Sequence, residues 1–175
     1  MLYIHTTAKL AKALKIKLPP APNADEINWL DNWYANVLDI GLPLKLLLFT
    51  NADTRYCLVH PFDARDDLDY MVDIFRMRLQ VHTGRDLSAE HSEYQFCKTN
   101  SRKVLGCMND LSMMLEHCAR DMWESGEGLD LEKVEAQLNR GIVAGKFIQD
   151  EFDKMLGREK TRLKPTRVPH LKVVE

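Results

Sequence analysis

Trp33-Tyr34-Ala35-Asn36-Val37-Leu38-Asp39-Ile40 runs into Gly41-Leu42-Pro43, and Leu44-Lys45-Leu46-Leu47-Leu48-Phe49-Thr50 follows at once. Asn51-Ala52-Asp53-Thr54 then leads to Arg55-Tyr56-Cys57-Leu58-Val59-His60. The first segment is rich in aromatic and branched residues and stops at a Gly-Pro turn signal. The second is nearly continuous in apolar residues, as a buried strand is. Asn and Asp side chains can bond their own backbone, so 51–54 reads as a tight loop. Three strands joined by such short loops predict an antiparallel meander, because parallel neighbours need long crossovers.

On either side of this stretch the pattern is mixed. Leu2 to Ile4 reads as a short strand, and Thr6 or Thr7 can cap a helix that turns Leu10 and Leu14 inward. Leu18-Pro19-Pro20-Ala21-Pro22-Asn23 cannot continue that helix, since proline lacks the amide donor. Downstream, Leu68, Met71, Val72, Phe75, Leu79 and His82 recur at helical spacing behind Asp63, Asp66 and Asp67, and Gly84 supplies a stop. Tyr94 to Lys98 reads as a further strand. Asn100 or Ser101 caps a helix whose inward stripe is Val104, Leu105, Met108, Leu111, Leu115, Cys118 and Met122, ended by Gly126 and Gly128. Asp130 caps a last helical stretch reaching Phe152, which Gly141 and Gly145 interrupt. The expected fold class is α+β, a small antiparallel meander covered by helices mainly on one face.

The chain has 175 residues, 45% hydrophobic and 29% charged, with a net charge of −2. That composition suits one folded domain over 1–157 and is not that of a disordered chain. No apolar run approaches the ~20 residues of a membrane span, and Met1-Leu2-Tyr3-Ile4-His5 has neither a basic nor a long apolar region, so a secretory signal is not expected. Cys57, Cys97, Cys107 and Cys118 are widely spaced in apolar surroundings, so they read as reduced thiols of a cytoplasmic protein. Beyond Gly157 the basic residues Arg158, Lys160, Arg162, Lys164, Arg167 and Lys172 outnumber Glu159 and Glu175. Residues 158–175 therefore read as a basic, flexible tail on an acidic body, with nucleic acid as a minority partner for it.

The segment richest in candidate chemistry is Lys98-Thr99-Asn100-Ser101-Arg102-Lys103-Val104-Leu105-Gly106-Cys107-Met108-Asn109-Asp110. Free amides at a helix start beside Lys98, Arg102 and Lys103 suit a bound anion, with Asn100, Ser101 and Asn109 as further ligands. Capping is the plainer reading of Asn100 and Ser101. At about 100° per residue, Arg102, Gly106, Asn109 and Met113 line a stripe nearly opposite the core stripe. Gly106 and Met113 are poor choices for solvent, so a neighbouring helix, a partner protein, a second copy of the chain or a ligand is expected against it. His60, at a strand end before Pro61 and Asp63, has the setting of a general base, although a plain strand terminus looks the same. Trp29, Trp33 and Tyr34 read as packing residues rather than a stacking platform. The histidines and cysteines lack metal-ligand spacing, and no glycine-rich nucleotide loop occurs, so neither metal nor cofactor is expected.

Asn32-Trp33-Tyr34-Ala35-Asn36, Leu48-Phe49-Thr50-Asn51-Ala52-Asp53-Thr54-Arg55-Tyr56 and Lys98–Asp110, with Leu138-Asn139-Arg140 later, together resemble a bacterial family of small proteins described as a domain of unknown function. The resemblance spans most of residues 1–148. Members commonly carry a His after the first Trp, where Tyr34 stands here, so a role for that His does not carry over. The resemblance implies no activity or cofactor. The residues favour a non-enzymatic binding or interaction domain using the Arg102–Asn109 surface. The alternative is a small enzyme acting on a phosphorylated or nucleic-acid substrate, with Arg102, Asn100 and Asn109 on the anion and His60 as base.

Overall fold

Side chains alternate across a strand, so a strand buried at every position must be covered on both sides. In the computed structural model, which describes residues 1–63, 65, 67–85, 93–126 and 128–158, that strand is β3 (Lys45–Asn51), buried from Leu46 to Asn51. It pairs antiparallel with β2 (Asn32–Asp39) and with β4 (Cys57–Phe62), which is the expected meander. Two more strands extend the sheet. β1 (Leu2–Thr6) lies parallel to β2 and to β5 (Tyr94–Lys98), giving the order β4-β3-β2-β1-β5. The sheet is therefore mixed rather than purely antiparallel. Residues 7–31 and 63–93 are long enough to return the chain to the same end, as parallel pairing requires.

Both faces are covered, which corrects the expectation of helices mainly on one side. Helix α2 (Leu68–Thr83) lies on the face of Trp33 and Phe49, with Phe75 edge-on to Trp33 at 5.1 Å and against Phe49 at 4.8 Å. The opposite face carries Tyr34, whose hydroxyl donates to Asn100 just ahead of α3 (Arg102–Glu124). The helix starts follow capping chemistry. Thr7 Oγ1 accepts from Leu10 N and opens α1 (Ala8–Leu14), and Asp67 accepts from Tyr70 N. Ser101 accepts from Val104 N, and Asp130 from Lys133 N to open α4 (Leu131–Asn139).

The last helical stretch breaks in two. A Cβ on Gly141 would stand 2.9 Å from the Leu138 carbonyl oxygen, so the chain turns there only as glycine. Ala144 and Gly145 follow with φ of 52° and 78°, the mirror-image turn that suits a two-residue hairpin between β6 (Ile142–Val143) and β7 (Lys146–Phe147). Helix α5 (Ile148–Met155) then packs Phe152 face to face on Tyr56, centroids 3.8 Å apart. Arg158 is tied to the body, donating to Thr83 O at 2.6 Å. The rest of the expected basic tail lies outside the described residues, as do Asp66 and His91.

β4 is an edge strand, and α4 closes it. Asn139 Oδ1 accepts from Cys57 N at 2.7 Å while its Nδ2 donates to Cys57 O at 2.9 Å. Glu135 accepts from Val59 N at 2.6 Å, from Arg78 at 2.7 Å and from His82 at 3.0 Å. Two helix side chains thus occupy the hydrogen bonds a sixth strand would take, which removes a pairing edge. Replacing Asn139 with Ala strips partners from two buried backbone groups. The expected loss is about 3 kcal/mol in urea unfolding, with faster amide exchange at Cys57. An unchanged unfolding midpoint would refute this role for Asn139.

Candidate functional site

The residues singled out at the β5–α3 junction are placed around capping and packing. Lys98 donates its N–H to Pro19 O, and its carbonyl accepts from His5 Nδ1 at 3.2 Å, while its side chain is exposed. Asn100 Oδ1 accepts from the Tyr34 hydroxyl at 2.5 Å, and its Nδ2 donates to Pro22 O. Ser101 is the N-cap of α3. Arg102 and Asn109 are exposed, a Cβ on Gly106 would meet nothing within 4 Å, and Met113 is 71% exposed. Among the described residues, none covers that stripe.

His60 does not join these residues. On β4 it pairs with Leu47, two residues from Phe49, and so shares the face of Phe75, whereas α3 opens beside Tyr34 on the opposite face. A base at His60 and an anion grip at Arg102 are not one site.

The structure assembles a different cluster. In-register pairing places Cys97, His5, Tyr34, Thr50 and Cys57 side by side across all five strands, in one row on the face opposite Phe75. His5 stacks on Tyr34 with ring centroids 4.5 Å apart, and Cys97 Sγ lies 3.5 Å from His5 Nδ1. Asn32 stands two residues before Tyr34, hence on the same face. Ala52 N donates to Asn32 O, which brings the β3–β4 loop over this end of the row.

That loop is built by Asn51. Its Oδ1 accepts from Asp53 N, Thr54 N and Thr54 Oγ1, while its Nδ2 donates to Trp29 O at 2.8 Å. Arg55 N closes the turn on Asn51 O, and Arg55 is left at φ 68°, a left-handed conformation that costs a branched or long side chain strain. Arg55 is only 9% exposed, yet its Nε and Nη1 are buried without a hydrogen-bond partner. His5 Nε2 and Asn32 Oδ1 are likewise buried, in residues 1% and 6% exposed, but they have each other. Buried polar atoms are nearly always paired, so the Arg55 atoms need an explanation.

Electrostatics ties the cluster together. Burial pushes the Tyr34 hydroxyl pKa up, opposed first by hydrogen bonds at Asn100 and Ser101 and least by the Arg55 charge. Burial also raises the Asp53 carboxyl, again opposed by Arg55. Burial lowers the His5 pKa, against the Lys98 carbonyl and Asn32, which favour the protonated ring. Burial raises Cys97 to about 11 and Cys57 to about 12, so both stay thiols and neither is an activated nucleophile. Because His5 Nδ1 donates to Lys98 O, the neutral ring keeps its lone pair on Nε2. The arrangement can therefore offer the Arg55 cation to a bound molecule, while His5 and Asn32 answer each other. Among the described residues no group of His, Cys, Asp and Glu is placed to hold a metal ion.

The sequence pointed to Tyr34 as a packing aromatic, to Asp53 as a loop former and to Asn32 and Arg55 only as parts of the strings that carry the resemblance, while His5 carried no signal of its own. Trp33, expected to be packing, is fully buried. An α+β domain with a buried, partly unsatisfied polar row on one sheet face is the class these features define. Residues 3–152 match the sequence model of a domain of unknown function, DUF6933, and the chain belongs to that family. No curated protein and no solved structure matches it. No helix among the described residues is long and apolar enough to cross a membrane.

The His5 ring generates a pH dependence. Its folded pKa lies below the ordinary 6.5, so the unfolded chain binds the proton more readily. The stabilising contribution of the neutral ring is complete above about pH 6.5 and is lost as pH falls below it. Urea titrations between pH 5 and 7, on wild type and His5→Phe, are expected to give a shallower acid-side decline for the variant. Parallel curves would show that His5 is not the group responsible.

Proposed function

We propose that this chain is a non-enzymatic binding domain that takes a small anion-bearing molecule against Arg55, over the row of His5, Tyr34 and Asn32. The observation that carries this reading is the buried guanidinium with unpaired Nε and Nη1, held by a loop whose backbone is itself strained. An ion out of water without a counter-ion costs several kcal/mol, and a strained residue of this kind adds about 1–3. Asp53 is the carboxylate that senses Arg55, but no ion pair forms between them among the described residues. A ligand anion supplies the missing partner, and strain of this kind collects at ligand clamps.

A second contact surface, for a protein partner or a second copy of the chain, is supported by the open α3 stripe of Arg102, Gly106, Asn109 and Met113. The enzymatic alternative draws less support, because its base His60 and its anion grip lie on opposite faces of the sheet. The buried free thiols fit a reducing compartment such as the cytoplasm.

Arg55→Gly separates a ligand grip from a structural residue. Glycine relieves the left-handed backbone and removes the unpaired charge, so the free protein is expected to gain about 1–3 kcal/mol in urea unfolding. The same variant is expected to lose any stabilisation of wild type by acetate or sulfate in thermal melts. A destabilised Arg55→Gly protein that still responds to those anions would sink the reading.

A further inference from the structure

Helix α2 buries Met71, Val72, Phe75 and Leu79 against the sheet. At about 100° per residue, the side turned away from the sheet should be polar, and it is not. It carries Tyr70, Met77 and Val81, which are 49%, 56% and 77% exposed, and the partly exposed Ile74. Successive steps of four, three and four residues are those of the a and d positions of a helix pair, so the four side chains form one continuous apolar seam. We infer that this seam is the seat of a second copy of the chain, whose own α2 lies antiparallel across it about a two-fold axis.

Two observations select a second copy and its direction. The seam is self-complementary. With α2 turned end for end, Tyr70 falls opposite Val81 and Ile74 opposite Met77, so every apolar position finds an apolar one, as a two-fold contact requires. Charge is distributed along the helix in the same sense. Asp67, Asp69 and Asp73 stand toward its start, and Arg76, Arg78 and Arg85 toward or just beyond its end. Glu135 answers Arg78 and Asp73 answers Arg76, which leaves Asp67 and Asp69 at one end and Arg85 at the other for a neighbour to meet. Antiparallel pairing brings each acidic end beside the other copy's basic end and opposes the two helix dipoles, whereas parallel pairing sets like charges together. The α3 stripe offers no such match, since Met113 is alone there among Arg102, Gly106 and Asn109. With 16 residues α2 is about 24 Å long, so the dimer is of the small, reversible kind.

Sedimentation equilibrium of the full chain between roughly 5 and 200 µM is expected to show a monomer–dimer equilibrium. Met77→Glu puts a charge near the centre of the seam at an exposed position. It is expected to weaken association more than about tenfold while leaving the urea midpoint of the dilute protein unchanged. Met113→Glu, on α3, is expected to dimerise like wild type. Disulfides read the orientation. An equimolar mixture of Tyr70→Cys and Val81→Cys is expected to cross-link under mild oxidation, and Val81→Cys alone is not, because end-for-end pairing keeps the two 81 positions apart. A wild-type chain that stays monomeric throughout that range would overturn the inference and leave the seam to a partner of another kind. Dimerisation that survives Met77→Glu, or that is lost with Met113→Glu, would overturn it too, and self-linking of Val81→Cys would overturn the antiparallel arrangement. If Met77→Glu does not fold, Val81→Asp, at the most exposed seam position, takes its place.

Discussion

The Asn51 side chain, wholly withdrawn from solvent, spends its oxygen on Asp53 N, Thr54 N and Thr54 Oγ1 and its nitrogen on Trp29 O. That one amide joins three pieces of chain: the segment entering β2, the end of β3 and the loop into β4. It also holds the loop tightly enough that Arg55 emerges with positive φ. The hydrogen bonds of a buried amide are expensive to lose, so the loop has little freedom to relax the strain at Arg55. The Leu48–Tyr56 string thus has a physical meaning. Asn51 and Thr54 shape the turn, Tyr56 packs on Phe152 and bonds His82, and Arg55 is the residue the turn delivers.

The sheet depends on side chains at its margin as much as on its ladder. Asn139 and Glu135 of α4 complete the outer edge of β4, and Glu135 also gathers Arg78 and His82 of α2. A buried carboxylate is tolerated there because each of its oxygens is bonded to a donor. The contrast with the site is informative. Both Glu135 oxygens find donors, whereas Arg55 Nε and Nη1 find no acceptor. Satisfied polar networks specify a fold, and the unpaired Arg55 atoms are the observation on which the binding reading rests.

Much of the architecture was legible in the residues because it is set by local chemistry. The turn formers between residues 33 and 60 dictated the meander, and Thr7, Ser101 and Asp130 did cap their helices. β1 and β5 as parallel partners were not legible, because nothing near Leu2 or Tyr94 records which distant strand will lie beside it. The break at Gly141 was visible as a weakness, but the hairpin that replaces helix needs the positive φ of Ala144, which alanine does not advertise. Among the candidate site residues, Asn100 does meet Tyr34, yet in a hydrogen bond that closes the fold. His60 and Arg102 looked like partners only while the sheet face of each was unknown.

The sequence by itself determined the periods, the caps and the turns, because these follow from backbone sterics and hydrogen bonds within a few residues. It also determined that the apolar strand from Leu46 to Thr50 would lie between two antiparallel neighbours. Only the tertiary structure decided which polar atoms are left without partners. Satisfaction of a buried group depends on every neighbour at once, and residues as far apart as His5, Arg55 and Cys97 become neighbours only when the strands register. A lone His near the start of a chain carries no message until Tyr34 lies under it and Lys98 has taken its proton-bearing nitrogen.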